Sequence, residues 1–178
     1  MRAVRALDHA LAISRDLRSR SGNALVESWN ITPDRMVTTV RSDGVAVMRW
    51  GMVPPWSHDP GDRSRQINAR SETAFEKPMF RDAMRARRCI LPATGFYEWR
   101  RDGEHRQPWW ITCKDDGVLA MAGLWQRTET PQGPLDSCLV LTMQAAPSIA
   151  AIHHRMPVMP PLTNVDAWLD LQERTGAR

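Results

Sequence analysis

Three Asp-Gly steps divide this 178-residue chain into short segments, and they constrain its fold more than any other feature. The step within Ser42-Asp43-Gly44 separates 37–40 from 45–50, and such a turn between two strand-like runs predicts a β-hairpin. The other two steps, at Asp102-Gly103 and Asp116-Gly117, also lie next to short strand-like runs. The chain is therefore predicted to contain many short strands joined by turns.

Helical segments lie around and between the predicted strands. In the first segment, apolar residues recur at roughly helical spacing, which is typical of an amphipathic helix. Pro78 is expected either to break the second segment or to begin a fresh first turn. Thr163 or Asn164 is expected to cap the last helix. The helical segments are residues 6–18, 72–87, 147–153 and 164–171.

Further short strands are expected along the rest of the chain, separated by two long loops. The strands are residues 89–91, 96–99, 108–112, 118–125 and 137–142, and the loops are 52–65 and 128–136. Several short strands with three or four helices predict an α+β fold. We expect one β-rich domain over residues 1–178, with a mixed or barrel-like sheet and several flanking helices.

The composition excludes membrane classes and favours a nucleic-acid partner. Apolar stretches are no longer than a strand and no signal-peptide pattern is present, so we expect a cytoplasmic protein without a membrane span. The net charge is +4, and subtracting Lys77 and Lys114 from 24 basic residues leaves 22 arginines. Arginine forks onto phosphate oxygens and stacks on bases. A GC-rich genome explains the same bias, so arginine content alone does not demonstrate DNA binding.

The cysteines favour neither a disulfide framework nor a metal site. Cys89, Cys113 and Cys138 are widely spaced and form no Cys-x-x-Cys pair. An odd, scattered set is typical of reduced, buried thiols. Motifs of serine hydrolases, nucleotide-binding loops and zinc proteases are also missing from the sequence. We therefore expect no metal and no cofactor.

A carboxylate between two aromatic residues is the first candidate for chemistry. Glu98 lies between Tyr97 and Trp99 in a strand-like run, and strand alternation places it on the face opposite both. If that face borders a cleft, Glu98 can act as a general acid or base. An exposed strand glutamate without a role fits the same pattern.

The segment 67–73 offers an amide and a guanidinium to a ligand. Asn68 can orient a sugar or a carbonyl, and Arg70 can clamp a phosphate. The structural alternatives are turn chemistry at Asn68 and helix capping by Ser71. Glu72 is expected in the first turn of a helix, where an acid offsets the helix dipole.

Histidines near the end of the chain are candidates for proton transfer. His153 and His154 titrate near neutrality, and Arg155 beside them can hold an anion. Neighbours on a helix point in directions about 100° apart, so at most one histidine is expected to face a given site. A surface pair at a helix end is the alternative.

Eight tryptophans stand against a single tyrosine in this sequence. Trp50, Trp56 and Trp99 lie close to the polar segments, and exposed indoles can stack on unpaired bases. Core packing is the expectation for Trp125 and Trp168. Residue types and spacing thus leave an arginine-rich α+β domain with a possible acid–base site.

Taken together, the motifs resemble the SRAP family, the SOS response-associated peptidases or abasic site processing proteins. Family patterns include W-G-x-x-P-x-W, N-A-R-x-E-T, G-(F/W)-(Y/F)-E-W and I-H-x-R-M-P-V. The segments that carry the resemblance are Trp29–Pro33, Trp50–Trp56, Ile67–Thr73, Arg88–Pro92 with Gly95–Trp99, Ala122–Trp125 and Ile152–Val158. Their shared order along most of the chain makes a chance match improbable.

The resemblance implies covalent capture of abasic sites in single-stranded DNA. In the family, a cysteine at residue 2 attacks the sugar aldehyde after removal of the initiator methionine. Its α-amine forms a Schiff base and its thiol closes a thiazolidine ring, and the α-amine suits this step because its pKa of about 7.7–8.0 leaves it partly unprotonated at neutral pH. The expected family fold is a β-rich α+β domain with an arginine-lined DNA groove.

The resemblance also implies roles for individual residues. Glu98 would shuttle protons, His153 would assist the imine chemistry, and Asn68 would hold the sugar. The implied DNA contacts are Arg70, Arg155, Trp56, Trp99, Asn30 and Thr142. The expected partner is single-stranded DNA with abasic sites, met in the cytoplasm at the nucleoid during DNA damage, without a membrane or an obligate protein partner.

The sequence departs from the family pattern at both ends. It begins Met1-Arg2-Ala3-Val4 where the family has Met-Cys-Gly-Arg, so the first strand and a final segment after Trp168 are expected to be missing. The true start lies upstream, or the chain binds DNA without closing the ring, or the Met1 α-amine forms the imine. We therefore expect a lyase-type enzyme whose activity is impaired in this sequence, because the N-terminal cysteine is absent from it. The alternatives are a non-catalytic single-stranded DNA-binding module and a peptidase.

Overall fold

The computed structural model describes residues 28, 30–57, 59, 61, 64–114 and 117–171. The helix predicted over 6–18, the indole of Trp29 and the acidic pair Asp115-Asp116 lie outside the described residues. Within this part of the chain, no helix is long and apolar enough to cross a membrane.

Short strands dominate the described residues, and the helices are few and brief. The strands are β1 (Met36–Arg41), β2 (Gly44–Trp50), β3 (Asn68–Arg70), β4 (Arg88–Ala93), β5 (Gly95–Asp102), β6 (His105–Thr112), β7 (Leu119–Thr130), β8 (Gly133–Gln144) and β9 (Arg155–Pro157). The helices are α1 (Pro78–Ala86), α2 (Pro147–Ala150) and α3 (Val165–Leu169), with 3₁₀ turns at Ser71–Thr73 and Leu162–Asn164. The predicted β-rich α+β class is confirmed.

Five strands close into a barrel. They follow the order β2-β1-β4-β7-β8, and β8 pairs in parallel with β2 at Trp50 and Cys138 to complete the circle. The barrel-like core expected from the sequence is thus present. Beyond the closure, the second half of β8 pairs with β3 on one edge and β9 on the other: Thr142 lies opposite both Arg70 and Pro157.

Apolar side chains fill the barrel and the spaces under its helices. Leu124 and Leu139 are fully buried, and α1 packs Phe80 and Met84 against this part of the core. On another side, α3 buries Val165 and Leu169 against the strands. Burial of an aliphatic or aromatic side chain contributes about 1.5–3 kcal/mol, so these contacts fix the barrel rigidly.

Strands β5 and β6 form a separate two-stranded sheet that we call the ribbon. It leaves the barrel after β4 and returns into β7. Its turn consists of Gly103 and Glu104, and Gly103 adopts a φ of 57°, which glycine reaches without steric cost. At its base a Cβ on Gly95 would come within 2.6 Å of the Ile111 carbonyl oxygen, so the close strand approach there requires glycine.

Several predicted boundaries are confirmed and others are wrong. The hairpin 37–50 and the fresh first turn at Pro78 are confirmed. The predicted loop 128–136 is instead part of the continuous β7–β8 hairpin, which also carries a bidentate cross-strand ion pair between Arg127 and Asp136 with both N–O distances 2.7 Å. The two last helices are shorter than predicted, ending at Ala150 and Leu169.

Candidate functional site

The candidate active site is a cleft between the ribbon and the segment that follows α2. Its volume is about 210 Å³. The lining residues are Glu98, Trp99, Arg101, Arg106 and His153. Four of these five residues belong to the ribbon, and His153 belongs to the segment after α2.

Strand alternation in β5 turns the Glu98 carboxylate inward. Tyr97 and Trp99 are 45% and 51% exposed, whereas the side chain of Glu98 is 23% exposed. The predicted opposition between Glu98 and its aromatic neighbours is therefore present. The Oε1 atom of Glu98 lies 3.6 Å from Nδ1 of His153, which forms an ion pair whenever the imidazole is protonated.

The end of α2 places His153 in the cleft. Its backbone N–H donates to the Ile149 carbonyl oxygen over 3.1 Å. Nδ1 lies 3.2 Å from the backbone nitrogen of Arg155, which donates to it, and 3.0 Å from the Arg155 carbonyl oxygen. The exposed His154 lies beside His153, with ring centroids 4.5 Å apart and ring planes tilted by 42°, and it does not line the cleft.

Glu72 engages the Arg155 guanidinium. Its two carboxylate oxygens accept hydrogen bonds from Nη1 and Nη2 over 2.7 and 2.8 Å, and Nη2 also donates to the Thr142 carbonyl oxygen over 2.6 Å. The Arg155 guanidinium lowers the pKa of Glu72 to about 2, and the carboxylate raises the pKa of Arg155. Glu72 lies in the first turn of a 3₁₀ helix, where an acidic residue was expected, and it also forms this long-range pair.

Asn68 does not line the cleft. It is exposed at the start of β3, with its Cα opposite Val140 of β8, and Arg70 is exposed two residues further on. The hydroxyl of Thr142 donates to the Ala69 carbonyl oxygen over 3.4 Å. The structure thus brings Glu98 and His153 together, and it holds Asn68 and Arg70 on the other edge of β8.

The remaining predicted DNA contacts lie on the outside of the molecule. Trp56 is 61% exposed in the loop after β2, and Asn30 is exposed before β1. Trp50 belongs to the barrel wall, where its indole N–H donates to the Ile67 carbonyl oxygen over 3.0 Å. Of the tryptophans near the motifs, Trp56 and Trp99 remain accessible to a ligand.

One face of the ribbon carries aromatic and arginine side chains that sequence reasoning missed. The β5–β6 register places Tyr97 beside Trp110 and Arg101 beside Arg106 on this face. The Tyr97 and Trp110 rings are 4.7 Å apart, and Trp110 is 46% exposed. Pairing across the predicted Asp102-Gly103 turn would have located Arg106 and Trp110, because residues equidistant from a tight turn lie opposite each other.

The internal cysteines are unsuited to nucleophilic attack. Cys89 and Cys138 are buried in the barrel, and burial raises the pKa of Cys138 to about 12 and that of Cys89 well above its ordinary value. Cys113 is half-buried, and neither it nor Lys77 or Lys114 lines the cleft. Among the described residues, no group of three or more acidic, histidine or cysteine side chains could hold a metal.

The fold is a closed barrel with a separate ribbon, and the candidate site is a cleft that contains a carboxylate and an imidazole. Sequence comparison identifies the family that this chain belongs to. The chain matches the SOS response associated peptidase (SRAP) family over residues 2–178 and belongs to that family. It is 39% identical over 149 residues to the abasic site processing protein YoqW of Bacillus subtilis (strain 168). It is 32% identical over 153 residues to the abasic site processing protein HMCES of Xenopus tropicalis.

Solved structures of similar fold cover most of the chain. A Bacteroides thetaiotaomicron protein matches 94% of this chain and 78% of its own with a TM-score of 0.81 and 29% identity. A Bordetella bronchiseptica protein matches 85% of this chain and 82% of its own with a TM-score of 0.71 and 31% identity. The matched parts are 80% of this chain and 66% of YoqW, and 72% of this chain and 46% of HMCES, so less than two thirds of each relative is covered.

Proposed function

We propose that this protein processes abasic sites in single-stranded DNA, with Glu98 and His153 moving protons at the deoxyribose. One observation carries the proposal: the two side chains lie 3.6 Å apart in a cleft bordered by arginines. The names of the relatives support an abasic site as the lesion. The same proposal assigns the protein to the cytoplasm, at the nucleoid during DNA damage.

Proton transfer is what the pair contributes to such a reaction. The abasic sugar is mainly a closed hemiacetal, and opening it moves the C1′ hydroxyl proton to a base while an acid protonates the ring oxygen and the C1′–O bond breaks. Glu98 serves both steps in turn, because a carboxyl group accepts a proton as a base and returns it as an acid. His153 protonates the hydroxyl that leaves as water when a carbinolamine becomes an imine.

A primary amine must attack the aldehyde carbon to form that imine. Lys77 and Lys114 do not line the cleft, so we assign the attack to the α-amino group of the chain, as the family resemblance implies. Its ordinary pKa of about 7.7–8.0 leaves more free base at neutral pH than a lysine has. A thiazolidine would need a neighbouring thiol, and the buried Cys89 and Cys138 do not provide one.

The ribbon supports a single strand as the substrate. Tyr97, Trp99 and Trp110 expose ring surfaces beside Arg101 and Arg106, and stacking on aromatic rings with backbone neutralisation is how unpaired bases are held without sequence preference. In a duplex the faces of each DNA base are covered by the neighbouring bases and cannot stack on a protein ring. This surface therefore favours unpaired DNA.

Exposed residues outside the cleft extend the proposed DNA path. Asn68 and Arg70 on β3 would hold the sugar and a phosphate, and Thr142 lies opposite Arg70 on β8. Trp56 and Asn30 would contact the strand further out. Arg155 would contribute a phosphate contact only after leaving Glu72, to which it is bound on both nitrogens.

Trapping with borohydride tests the proposal. A labelled oligonucleotide with one enzymatically excised uracil is incubated with the protein and borohydride, which reduces an imine to a stable secondary amine. We expect a covalent adduct on a denaturing gel. Glu98→Gln should slow adduct formation by about 100-fold or more, because general acid–base catalysis contributes that much. Its affinity for a strand with an unreactive tetrahydrofuran site should change by less than about twofold.

Other outcomes separate the alternative functions. Salt-dependent binding of the strand with no adduct, and no effect of Glu98→Gln, would indicate a non-catalytic DNA-binding module. Cleavage of a fluorogenic protein substrate that persists in Glu98→Gln would indicate a peptidase that uses other residues. Either result contradicts the proposed chemistry.

A further inference from the structure

The Glu72–Arg155 ion pair lies next to the candidate active site, because Arg155 contacts His153. Glu72 holds both terminal nitrogens of Arg155, and the Thr142 carbonyl oxygen holds one of them again. The Arg155 side chain is 17% exposed. Counting the Thr142 hydroxyl at 3.4 Å, four oxygen atoms from two separate elements thus hold this guanidinium, and the bidentate pair with Glu72 restricts its orientation as well as its distance.

The backbone of the same arginine contacts the candidate catalytic imidazole. The Arg155 N–H points at Nδ1 of His153 over 3.2 Å, and the Arg155 carbonyl oxygen lies 3.0 Å from the same nitrogen. One ring nitrogen therefore faces a donor and an acceptor that belong to one residue. Antiparallel pairing of β9 with β8, with Arg155 opposite Gln144, holds these peptide groups, and the ion pair anchors the same residue through its side chain.

We propose that Glu72 and Arg155 are positioning residues that hold the backbone of Arg155 so that it supports His153 in both protonation states. This inference rests on the proposed function. When Nδ1 is unprotonated, it accepts the Arg155 N–H and the neutral ring carries its proton on Nε2. When Nδ1 gains a proton, it donates to the Arg155 carbonyl oxygen and faces the Glu98 carboxylate. The imidazole can therefore accept and release a proton without rotating.

Charged and titratable groups surround this imidazole on several elements. Glu98, Arg101 and Arg106 line the same cleft from the ribbon, and the His154 ring lies beside it at a tilt of 42°. The Glu72–Arg155 pair adds one negative and one positive charge, so it contributes little net field at the ring. Its effect on His153 is therefore geometric, which distinguishes it from a simple change of local charge.

Matched variants separate a positioning role from a phosphate contact. Glu72→Gln keeps the shape of the side chain but weakens the fork, and Arg155→Lys keeps the positive charge but cannot form it. Both should slow adduct formation on the order of tenfold, because small misplacements of a catalytic group have effects of at least this size. Affinity for the tetrahydrofuran strand is compared in Glu72→Gln, because Glu72 is not among the proposed DNA contacts, and it should stay within about twofold of the parent value.

A spectroscopic measurement on the free protein makes the outcome independent of the reaction. Long-range proton–nitrogen NMR spectra of histidine-labelled protein, with His153 assigned through His153→Gln, should show one dominant neutral tautomer. Glu72→Gln and Arg155→Lys should replace it with a mixture. Asp136→Asn breaks the equivalent bidentate pair with Arg127, away from the cleft, and should leave both the spectrum and the adduct rate unchanged.

Two results would overturn the inference. Tighter, more salt-dependent DNA binding by Glu72→Gln with an unchanged adduct rate would mean that Glu72 merely withholds a phosphate-binding arginine. An unchanged imidazole spectrum in both variants would mean that the pair does not position His153. If the parent protein forms no adduct but the spectra change as expected, the proposed function fails and the positioning stands.

Discussion

At the residue scale, the surroundings of single side chains determine their charge. The Arg155 guanidinium lowers the pKa of Glu72 to about 2, whereas burial raises the pKa of Cys138 to about 12. The first effect stabilises a charged form, and the second destabilises one. At neutral pH the carboxylate therefore stays ionised and able to hold Arg155, and the barrel thiol stays neutral and unreactive.

The lowered pKa of Glu72 gives a pH dependence with a defined sign. The folded pKa of about 2 lies below the ordinary 4.5, so the stabilisation is complete above about pH 4.5 and is lost as the pH falls through 2. We expect the difference in free energy of unfolding between the parent protein and Glu72→Gln to be constant from pH 7 to 5 and to shrink below pH 4. Denaturant titrations at each pH measure it; a difference that grows on acidification would contradict the assignment.

At the element scale, local signals predicted much of the fold, and long-range contacts decided the rest. The first hairpin follows from its turn at Asp43-Gly44, and the inward face of Glu98 follows from strand alternation. The hairpin at Arg127 and Asp136 was missed because its mostly polar residues lack the apolar alternation of a strand, although Pro131 and Gly133 are turn residues. The Glu72–Arg155 pair could not be predicted, because its partners are 83 residues apart.

The ribbon is the element whose two faces can be tested separately. Tyr97→Ala with Trp110→Ala removes the paired rings next to Arg101 and Arg106, and each lost stack should cost about 1–3 kcal/mol of binding free energy to an unpaired strand. Fluorescence anisotropy with strands of increasing length measures the loss, which should be absent with a strand too short to reach the pair.

A control on the same strand distinguishes base stacking from damage to the ribbon. Trp109 lies on the opposite face, which it shares with Glu98, its partner in the strand register; it is 41% exposed, with the Arg100 guanidinium 5.4 Å from its ring. Trp109→Ala should reduce affinity for the long strand less than the paired change does. Equal losses in both variants would show that the ribbon had lost its structure rather than a stacking surface.

At the scale of the whole molecule, the apolar core and the candidate site lie in different parts. The closed barrel and its helices bury the large apolar side chains, whereas the ribbon supplies four of the five cleft residues and most of its own side chains are at least partly exposed. A barrel has no open edge along its circumference, so it supports a projecting sheet without exposing unpaired strands of its own. The ribbon can therefore carry arginines and exposed rings that a compact core would exclude.

This separation predicts opposite effects for two substitutions. Leu139→Ala opens a cavity at a fully buried position and should lower the free energy of unfolding by about 2–5 kcal/mol, without changing DNA affinity where the protein remains folded. Arg101→Gln should leave stability within about 0.5 kcal/mol of the parent. Its DNA affinity should fall, and the slope of log affinity against log salt should decrease by about 0.7, as expected for one lost phosphate contact to a single strand. Denaturant titration and binding at several salt concentrations measure both variants, and an Arg101→Gln protein with an unchanged salt slope would remove the ribbon from the proposed DNA path.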